Sequence, residues 1–506
     1  MKRNLMTGAA ISALTVFSAN VALADLTAEQ VWAQWQDVMN ASGYEVNVGN
    51  ADLNGGTLTL TDIGVSMMLE PEGSMIVSLP EVTFQENGDG TVNVIVPPSY
   101  PMNMNVFEDD ETVDISMTVS QDGLSLTVSG DENDSTYDYE AAQVALSVDE
   151  VKIEEETLSN LGVMSLSGLK GTYSLTSGDT FGYSTSATAD GLSVEIDITA
   201  PEETLVLKAT ASATDLKSTT DATLPMGIDP QDTAAYMAEG FAVDATGSYG
   251  AITFNVTGDD DGSTFATNGK ATNGTFNFNV SENGMGYGGS MMDIIMAVSG
   301  SDIPLPSIDV TMGEYVFNLL MPIAKSDEPE DFALTTKIVD LGVSDMIWGL
   351  VDPVGALPHD PATLIVELAG KGNWNFDIMN VDPENPETLP MGEMPGEVHS
   401  LELKELQLKA AGADLTGTGA FTFDNSDLTT FPGMPRPEGQ IDLQLLGANG
   451  LIDTLVDMGM LPQEQAMGAR MMMGLFARPG EGDDSLVSTI EVNEEGAVLA
   501  NGQRLR

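Results

Sequence analysis

The sequence predicts a mainly β protein with a few short helices, built on long curled antiparallel sheet and divided into two related helix-plus-sheet halves. Three observations lead to this prediction. Apolar and polar residues alternate with a period of two in many segments, turn signals separate those segments, and helical periodicity is confined to short stretches. Parallel α/β folds are disfavoured because their strands are continuous apolar runs.

The first 24 residues have the parts of a secretory signal peptide. Lys2 and Arg3 precede an uncharged, mostly apolar run over residues 5–21, and Ala22 and Ala24 form a small-x-small cleavage site. The mature chain is expected to begin at Asp25 and to reside in a periplasm. Downstream, no apolar run reaches the ~18 residues of a membrane-spanning helix, so a soluble product is expected.

A helix is predicted at the start of the mature chain. Thr27 and Gln30 have the spacing of a capping box, and Gly43 ends the pattern. Apolar residues recur at three- and four-residue intervals between them: Val31, Trp32, Trp35, Val38 and Met39.

From Tyr44 onward the period changes to two. Residues 113–119 alternate, a turn at residues 120–123 follows, and residues 124–128 alternate again, which predicts an antiparallel hairpin. Asn87-Gly88-Asp89-Gly90 and Asn273-Gly274 are further hairpin signals. The same alternation recurs at residues 192–198, 276–280, 401–408 with a one-residue slip, 441–445, 487–492 and 497–499.

Short helices are predicted at residues 229–239, 291–298, 344–351 with Ser344 as cap, 449–458 and 463–477. Proline-rich residues 382–395 and 432–437 indicate exposed connections. The helix-then-sheet pattern at Leu26 recurs at Asp229. We therefore expect an N-terminal half over residues 25–224 and a C-terminal half over residues 225–506, with a soft boundary near Leu224.

Charge and cysteine content exclude several functions. The chain has 17 basic and 78 acidic residues, a net charge of −61, which disfavours binding to nucleic acid and to anionic membranes. It has no cysteine, so disulfides and lipidation at a cysteine are excluded. Spread carboxylates chiefly favour solubility. Calcium binding is the alternative, at residues 108–111, 131–134, 259–261 and 483–484, although none of these segments fits an EF-hand loop.

No catalytic, cofactor-binding or metal-binding residue is predicted. The two histidines, His359 and His399, are forty residues apart and suit a loop or a strand edge. Gly284-Met285-Gly286-Tyr287-Gly288-Gly289 matches a dinucleotide-binding motif, but the preceding segment alternates like an exposed antiparallel strand. A flexible glycine-rich connection is the better interpretation. Carboxylate pairs of the kind that glycosidases use cannot be found by counting, because their separation is spatial.

The 29 methionines are the more suggestive excess, with clusters at residues 67–68, 102–104, 291–292 and 471–473. Methionine fills irregular cores and also lines adaptable apolar grooves. Metal capture by thioethers is disfavoured because no histidine lies among them.

Several segments resemble a known family. Residues 332–334, 343–350 and 352–353, then Gly355 to Leu364, are similar to the exported alphaproteobacterial family of domain of unknown function 2125 (DUF2125), as are residues 417–421, 439–446, 451–455 and 500–505. The family is in turn distantly similar to AsmA-type envelope proteins. That likeness implies a long curled sheet with an apolar lining suited to lipid, but it implies no catalytic residues. Trp348 and the Asp352-Pro353 pair mark the family best, and packing is the favoured explanation for them.

Three functions follow as hypotheses. The first is a non-enzymatic periplasmic protein with an apolar groove for lipid or another hydrophobic ligand. The second is a structural or partner-binding envelope protein whose sheet faces close on each other. The third is a hydrolase that uses two carboxylates across a cleft.

Overall fold

The computed structural model describes residues 26–41, 43–68, 73–108, 111–153, 156–178, 180–200, 205–226, 228, 233–376, 378 and 395–506. The predicted signal peptide, Asp25 and residues 379–394 of the first proline-rich segment lie outside this part of the chain.

Strands dominate the described residues, so the predicted fold class is confirmed. The helices are α1 Ala28–Ala41, α2 Thr233–Ala238, α3 Asp345–Val351, α4 Ala448–Asp457 and α5 Gln463–Phe476. The strands of the first part are β1 Glu45–Asn54, β2 Thr57–Met68, β3 Gly73–Glu86, β4 Val92–Ile95, β5 Ser99–Glu108, β6 Glu111–Asp122, β7 Ser125–Gly130, β8 Asp134–Ile153, β9 Glu156–Ser177, β10 Thr180–Ala200, β11 Leu205–Pro225, β12 Ala242–Tyr249 and β13 Ile252–Asp260. The remainder are β14 Ser263–Ala271, β15 Asn273–Ser281, β16 Gly284–Gly300, β17 Ile308–Met321, β18 Glu330–Val343, β19 Ala362–Trp374, β20 Gly396–Ala410, β21 Ala413–Asp424, β22 Arg436–Leu446, β23 Arg478–Pro479, β24 Ser485–Val492, β25 Val498–Ala500 and β26 Gln503–Arg504. Among the described residues, no helix has the length and apolar character needed to cross a membrane.

All these strands belong to one antiparallel sheet, which follows the chain order closely. Four positions in the sheet are each shared by two short strands that lie end to end: β5 with β4, β6 with β7, β13 with β12, and β14 with β15. From β16 to β22 each strand pairs with the next, and β24, β25 and β26 complete the series. The sheet is continuous through β11, which contains Leu224, and the division into two related halves stays a prediction.

The shared positions correct two predicted hairpins. β6 and β7 do not form a hairpin with each other, because both run antiparallel to β8. Gly123, with φ of +66°, kinks the chain between them instead of reversing it. Asn273-Gly274 likewise begins β15, which shares β16 with β14, so the turn predicted there is wrong. The turn at residues 87–90 is confirmed, since Glu86 pairs with Val92 across it.

The capping box at the start of α1 is confirmed. The Thr27 N–H donates to Oε1 of Gln30 at 2.9 Å, and the Gln30 N–H donates to Oγ1 of Thr27 at 3.2 Å. Helices α3, α4 and α5 confirm three further predictions, and α2 occupies the end of the fourth. Only the helix predicted at residues 291–298 is wrong. That segment lies in β16, between strands on both sides, where tertiary pairing overrides a helix-like spacing.

The sheet is crossed by a line of residues in the left-handed conformation, here called the crease: Asp62, Gly123, Gly168, Asp215, Asp293 and Asp340. At the crease each affected strand contains an extra residue, as in a β-bulge, so the residues that face one side switch between even and odd numbers. In β2, Leu58 and Leu60 before Asp62 and Ile63 after it belong to the same core. The crease therefore keeps the apolar side chains of both parts of the sheet on one face.

Two helices cover part of this face. Val31, Trp32 and Trp35 of α1 pack on a core that contains Phe84 and Tyr137, both fully buried. A smaller core forms where Met237 of α2 meets Val280, Met285 and Ile323. Both cores lie on the same side of the crease, so the helices cover one part of the apolar face.

Candidate functional site

The register of the sheet places mostly apolar residues in a row that crosses thirteen adjacent strands. Each residue of this first apolar row is the direct cross-strand neighbour of the next: Val46, Val65, Val77, Met102, Met117, Val148, Gly162, Ile196, Ala209, Val256, Thr267, Val298 and Ile308. Met117 is buried, and the other members of the row are half-buried. Val46 and Val65 at the start of the row pack against the core that α1 covers, and the rest of the row lies on the other side of the crease from both cores.

The row one residue away faces the other side of the sheet and is mostly polar: Thr118, Ser147, Val163, Glu195, Thr210, Asn255, Asn268, Ala297 and Asp309. Cross-strand neighbours share a face, whereas successive residues of a strand point to opposite faces. The sheet therefore has one apolar face and one polar face.

A second apolar row continues the apolar face toward the C-terminus: Phe278, Tyr287, Leu319, Leu334, Leu368, Leu403, Gly419, Ile441 and Ile490. The predicted slip in residues 401–408 is confirmed as a register shift between Leu403 and Leu406. The two rows together extend the apolar face from β1 to β24.

A group of large, exposed side chains lies where the two rows come closest, on β14, β15 and β16. We call this group the aromatic patch: Phe265, Phe276, Phe278, Tyr287 and Met296. Phe276 is 46% exposed and Tyr287 is 57% exposed. Exposed aromatic side chains on an otherwise half-buried apolar face are typical of a surface that another molecule covers.

Glycines on neighbouring strands leave the space that the Phe276 and Phe265 rings occupy. Phe276 has Gly247 as its neighbour on one side and Gly289 on the other. A Cβ atom on Gly247 would lie 2.1 Å from the Phe276 ring, so the ring lies directly over the glycine. Phe265 has the same arrangement, between Gly258 and Gly300.

The glycine-rich segment from Gly284 to Gly289 is thus part of β16, and its interpretation as a flexible connection is wrong. It pairs with β15 on one side and β17 on the other, and both strands are antiparallel to it. Neither a linker nor a dinucleotide-binding loop would be paired in this way. A Cβ atom on Gly286 would lie 2.4 Å from the Asn279 side chain, and one on Gly288 would lie 2.0 Å from the Asn318 side chain. These two glycines therefore leave room for polar side chains of the neighbouring strands.

Register also brings dispersed methionines together on the apolar face. Met67 pairs with Met75, and Met75 pairs with Met104. Met102 pairs with Met117. Flexible, polarizable side chains in such a group can adjust to ligands of different shape.

The acidic clusters hold turns and helix ends. Asp131 accepts hydrogen bonds from the N–H groups of Asn133 and Asp134 at 2.8 and 3.0 Å, and these bonds lower its pKa. Asp259 accepts from the Gly262 N–H, and Asp484 accepts from the Gly450 N–H at the start of α4. Asp109 and Asp110 of the first cluster lie outside the described residues. Within the described ranges, no three acidic or histidine side chains are grouped as metal ligands would be.

The segment around Trp348 and Asp352, which the sequence predicts to mark the family, forms a packed corner. The Trp348 and His359 rings stack at 4.2 Å with nearly parallel planes. The buried Asp352 carboxylate accepts hydrogen bonds from the Ala356 N–H at 2.9 Å and the Leu357 N–H at 2.7 Å, and it lies 3.2 Å from Nε2 of His359. The Ala356 bond, together with the other partners, lowers the pKa of Asp352. His399 lies apart, on β20, with Nε2 2.9 Å from Oδ1 of Asn373.

A cleft of about 870 Å³ lies on the opposite, polar face near the C-terminus. Glu402, Glu438, Asp442 and Glu491 give it an acidic lining, and Lys404 is the basic residue among its lining side chains. These carboxylates follow from the polar alternation of β20, β22 and β24. Nothing in their arrangement identifies an acid and base pair, and the hydrolase hypothesis stays a prediction.

The fold and its exposed surface together define a mainly β protein with one large antiparallel sheet, one face of which is apolar and partly exposed. The family model described as "Uncharacterized protein conserved in bacteria (DUF2125)" matches residues 354–504. This C-terminal segment therefore belongs to the DUF2125 family, as the resemblance implied. The further likeness to AsmA-type envelope proteins stays a prediction.

Comparison with other proteins adds little. No curated protein matches the chain. Among solved structures, the ferric citrate transporter FecA in its unliganded form is 8% identical, with 91% of this chain and 76% of that chain covered and a TM-score of 0.16. BauA, the ferric preacinetobactin receptor from Acinetobacter baumannii, is 7% identical, with 91% and 78% covered and a TM-score of 0.11. Scores this low support no argument about fold or function.

Proposed function

We propose that the chain is a non-catalytic periplasmic protein that binds a lipid acyl chain, or a ligand of the same apolar chemistry, on the apolar face of its sheet. The observation that carries the proposal is the pair of adjacent rows described above, one apolar and half-exposed, the other polar. A sheet whose only purpose were to close on itself would bury its apolar rows.

The aromatic patch is the expected centre of binding. It joins the two apolar rows and exposes the largest side chains on that face. Burial of apolar surface supplies roughly 25 cal/mol per Å², so a chain that covers several of these side chains gains several kcal/mol. The face carries few charged groups, which suits the uncharged part of a lipid.

The acidic surface is consistent with this proposal. Carboxylates on the polar face and in the turns keep the molecule in solution while the apolar face stays open. They also discourage association of two copies, since both would carry a large charge of the same sign.

Lipid analysis of the protein after native extraction tests the proposal. We expect the purified mature chain to retain lipid and to bind a fluorescent fatty acid. Phe276→Glu should weaken binding of the fluorescent fatty acid at least about tenfold, because the new carboxylate must be desolvated under the ligand. Thr275→Glu adds the same charge to the neighbouring residue on the opposite face and should leave binding unchanged.

A chain that retains no lipid and binds no fluorescent fatty acid contradicts the proposal and favours a structural or partner-binding role. Equal weakening by both variants also contradicts it, because a general charge effect would then replace a specific face.

A further inference from the structure

Helix α5 is apolar on the side that faces away from the protein. Met467, Met471 and Leu475 follow one another at four-residue spacing, and they are 65%, 72% and 53% exposed. Ala466, Met473 and Phe476 face inward on the other side. A surface helix ordinarily exposes a polar side, so a helix with apolar residues on both sides indicates that something covers the outer one.

A second exposed apolar segment lies at the same end of the sheet. Helix α3 follows β18 and exposes Met346 and Leu350, and Val354 follows shortly after it. Together with Met467, Met471, Met472 and Leu475 of α5, these residues form what we call the apolar apex.

Contacts at one turn hold the two parts of the apex together. Gly412 lies in the turn between β20 and β21, and a Cβ atom on it would lie 3.0 Å from Pro358 of the segment after α3. A Cβ atom on Gly447, the residue before α4, would lie 2.2 Å from the Gly412 carbonyl oxygen. Arg470 of α5 contacts Asp453 of α4 at 2.5 Å and fixes one helix on the other.

The lack of unpaired basic residues in the helices of the apolar apex indicates which kind of partner it can bind. Helices α3, α4 and α5 contain no lysine, and the arginine they contain, Arg470, is paired with Asp453. Binding to an anionic membrane or an acidic protein requires basic residues around the apolar contact. An uncharged apolar partner requires none. The same −61 charge that repels anionic surfaces leaves an uncharged lipid surface as the favoured partner.

We propose that the apolar apex inserts into the surface of a membrane composed of zwitterionic lipid. Val343, which is paired with Val310 on the apolar face, is separated from α3 only by Ser344, so a membrane-bound apex would place the apolar face next to a source of lipid. This inference deepens the proposed function, and its test measures membrane contact instead of ligand retention, so that the two can fail separately.

The test is flotation of the mature chain with phosphatidylcholine vesicles. We expect the chain to float with the vesicles, and the double variant Met471→Glu with Leu475→Glu to reduce its partition coefficient at least about tenfold, because two apolar contacts are lost. The matched control is Gln463→Glu with Gln465→Glu, which adds two charges to exposed polar positions of the same helix and should leave partitioning within about twofold.

Because the chain has no cysteine, a single introduced thiol reports insertion at one position. An environment-sensitive dye on Met471→Cys should shift to the blue when vesicles are added, and the same dye on Gln465→Cys should not. This measurement holds even if the double variant folds poorly.

Wild-type protein that does not float, or a dye on Met471→Cys that does not shift, overturns the proposal. Self-association that the double variant abolishes, with no flotation, would assign the apex to contact between two copies. Flotation without lipid retention would support the apex and contradict the proposed function alone.

Discussion

The helix-covered part of the apolar face and its centre carry similar side chains but bury them to different extents. Phe84 is fully buried, with the Trp35 ring 5.3 Å and the Trp32 ring 5.9 Å from its own. Phe276 has glycines on both sides, and nearly half of it is exposed. The same sheet face therefore has two environments: it forms a core where a helix covers it, and its exposed centre is the binding surface that we propose.

The largest expected effect comes from removing the ring beneath the helix. Phe84→Ala should lower the free energy of unfolding by about 3–5 kcal/mol, because it leaves a cavity under α1. Phe276→Ala should lower it by about 1 kcal/mol or less, since little packing is lost. Urea unfolding measures both. Equal decreases in the free energy of unfolding would contradict the difference between the two regions, because Phe276 would then belong to a core.

A larger side chain at Gly247, beneath the exposed Phe276 ring, tests whether the ring needs the space above this glycine. Gly247→Val should cost about 1–3 kcal/mol of stability and weaken binding of the fluorescent fatty acid, since its Cβ overlaps the Phe276 ring. Gly64→Val is the control, because no atom lies within 4 Å of the position of its Cβ. Adding Phe276→Ala to Gly247→Val should restore most of the stability. Failure of this rescue would show that the ring does not rest on Gly247.

Asp352 belongs to neither region and is stabilised by polar contacts. Its substitution therefore allows the contribution of polar contacts to stability to be compared with that of the apolar core. Asp352→Asn should reduce stability at pH 7 by less than Phe84→Ala does, because the amide accepts fewer hydrogen bonds. The pKa of Asp352 is lowered in the folded state, so its contribution is complete above the ordinary carboxyl pKa of about 3.9 and is lost as pH falls through the lower folded value.

Urea midpoints measured between pH 7 and pH 2 test this sign. The difference between wild type and Asp352→Asn should be largest near neutrality and should shrink in acid. A difference that grows as pH falls would show that Asp352 is not stabilised as a carboxylate.

The smallest effect is expected on the polar face. Lys208 lies 2.7 Å from Asp197, and both side chains are about half exposed. Lys208→Ala should change the free energy of unfolding by less than about 0.5 kcal/mol and leave binding of the fluorescent fatty acid unchanged. A larger change in thermal or urea unfolding would mean that the polar face contributes more to stability than the comparison assumes.

Local signals predicted the elements well. The capping box of α1, the spacing of α3, α4 and α5, and the alternation of most strands are set by neighbouring residues, and the structure confirms them. The connections between strands were harder to predict from the sequence. The turns at Gly123 and Asn273 look like hairpins in sequence, but long strands such as β8 and β16 pair with both flanking strands and hold them end to end.

The aromatic patch could not be predicted from the sequence. The pairing of Phe276 with Gly247 and Gly289 depends on a register set by distant strands, and the crease changes which residues of β16 face the apolar side. Its one visible signal was the alternation of Phe276 and Phe278 beside a glycine-rich segment, which also fits a linker. The first apolar row joins residues 262 positions apart in the chain, from Val46 to Ile308.

Mapping with a photoactivatable fatty acid tests the central claim, that the uncovered apolar face is where ligand binds. The mature chain is irradiated with this fatty acid, and the modified residues are identified by mass spectrometry. We expect adducts on Phe276, Phe278 and Tyr287, and few or none on Thr275 and Asn277, which face the other side of β15. Equal labelling of both faces, or labelling confined to residues outside the two apolar rows, would contradict it.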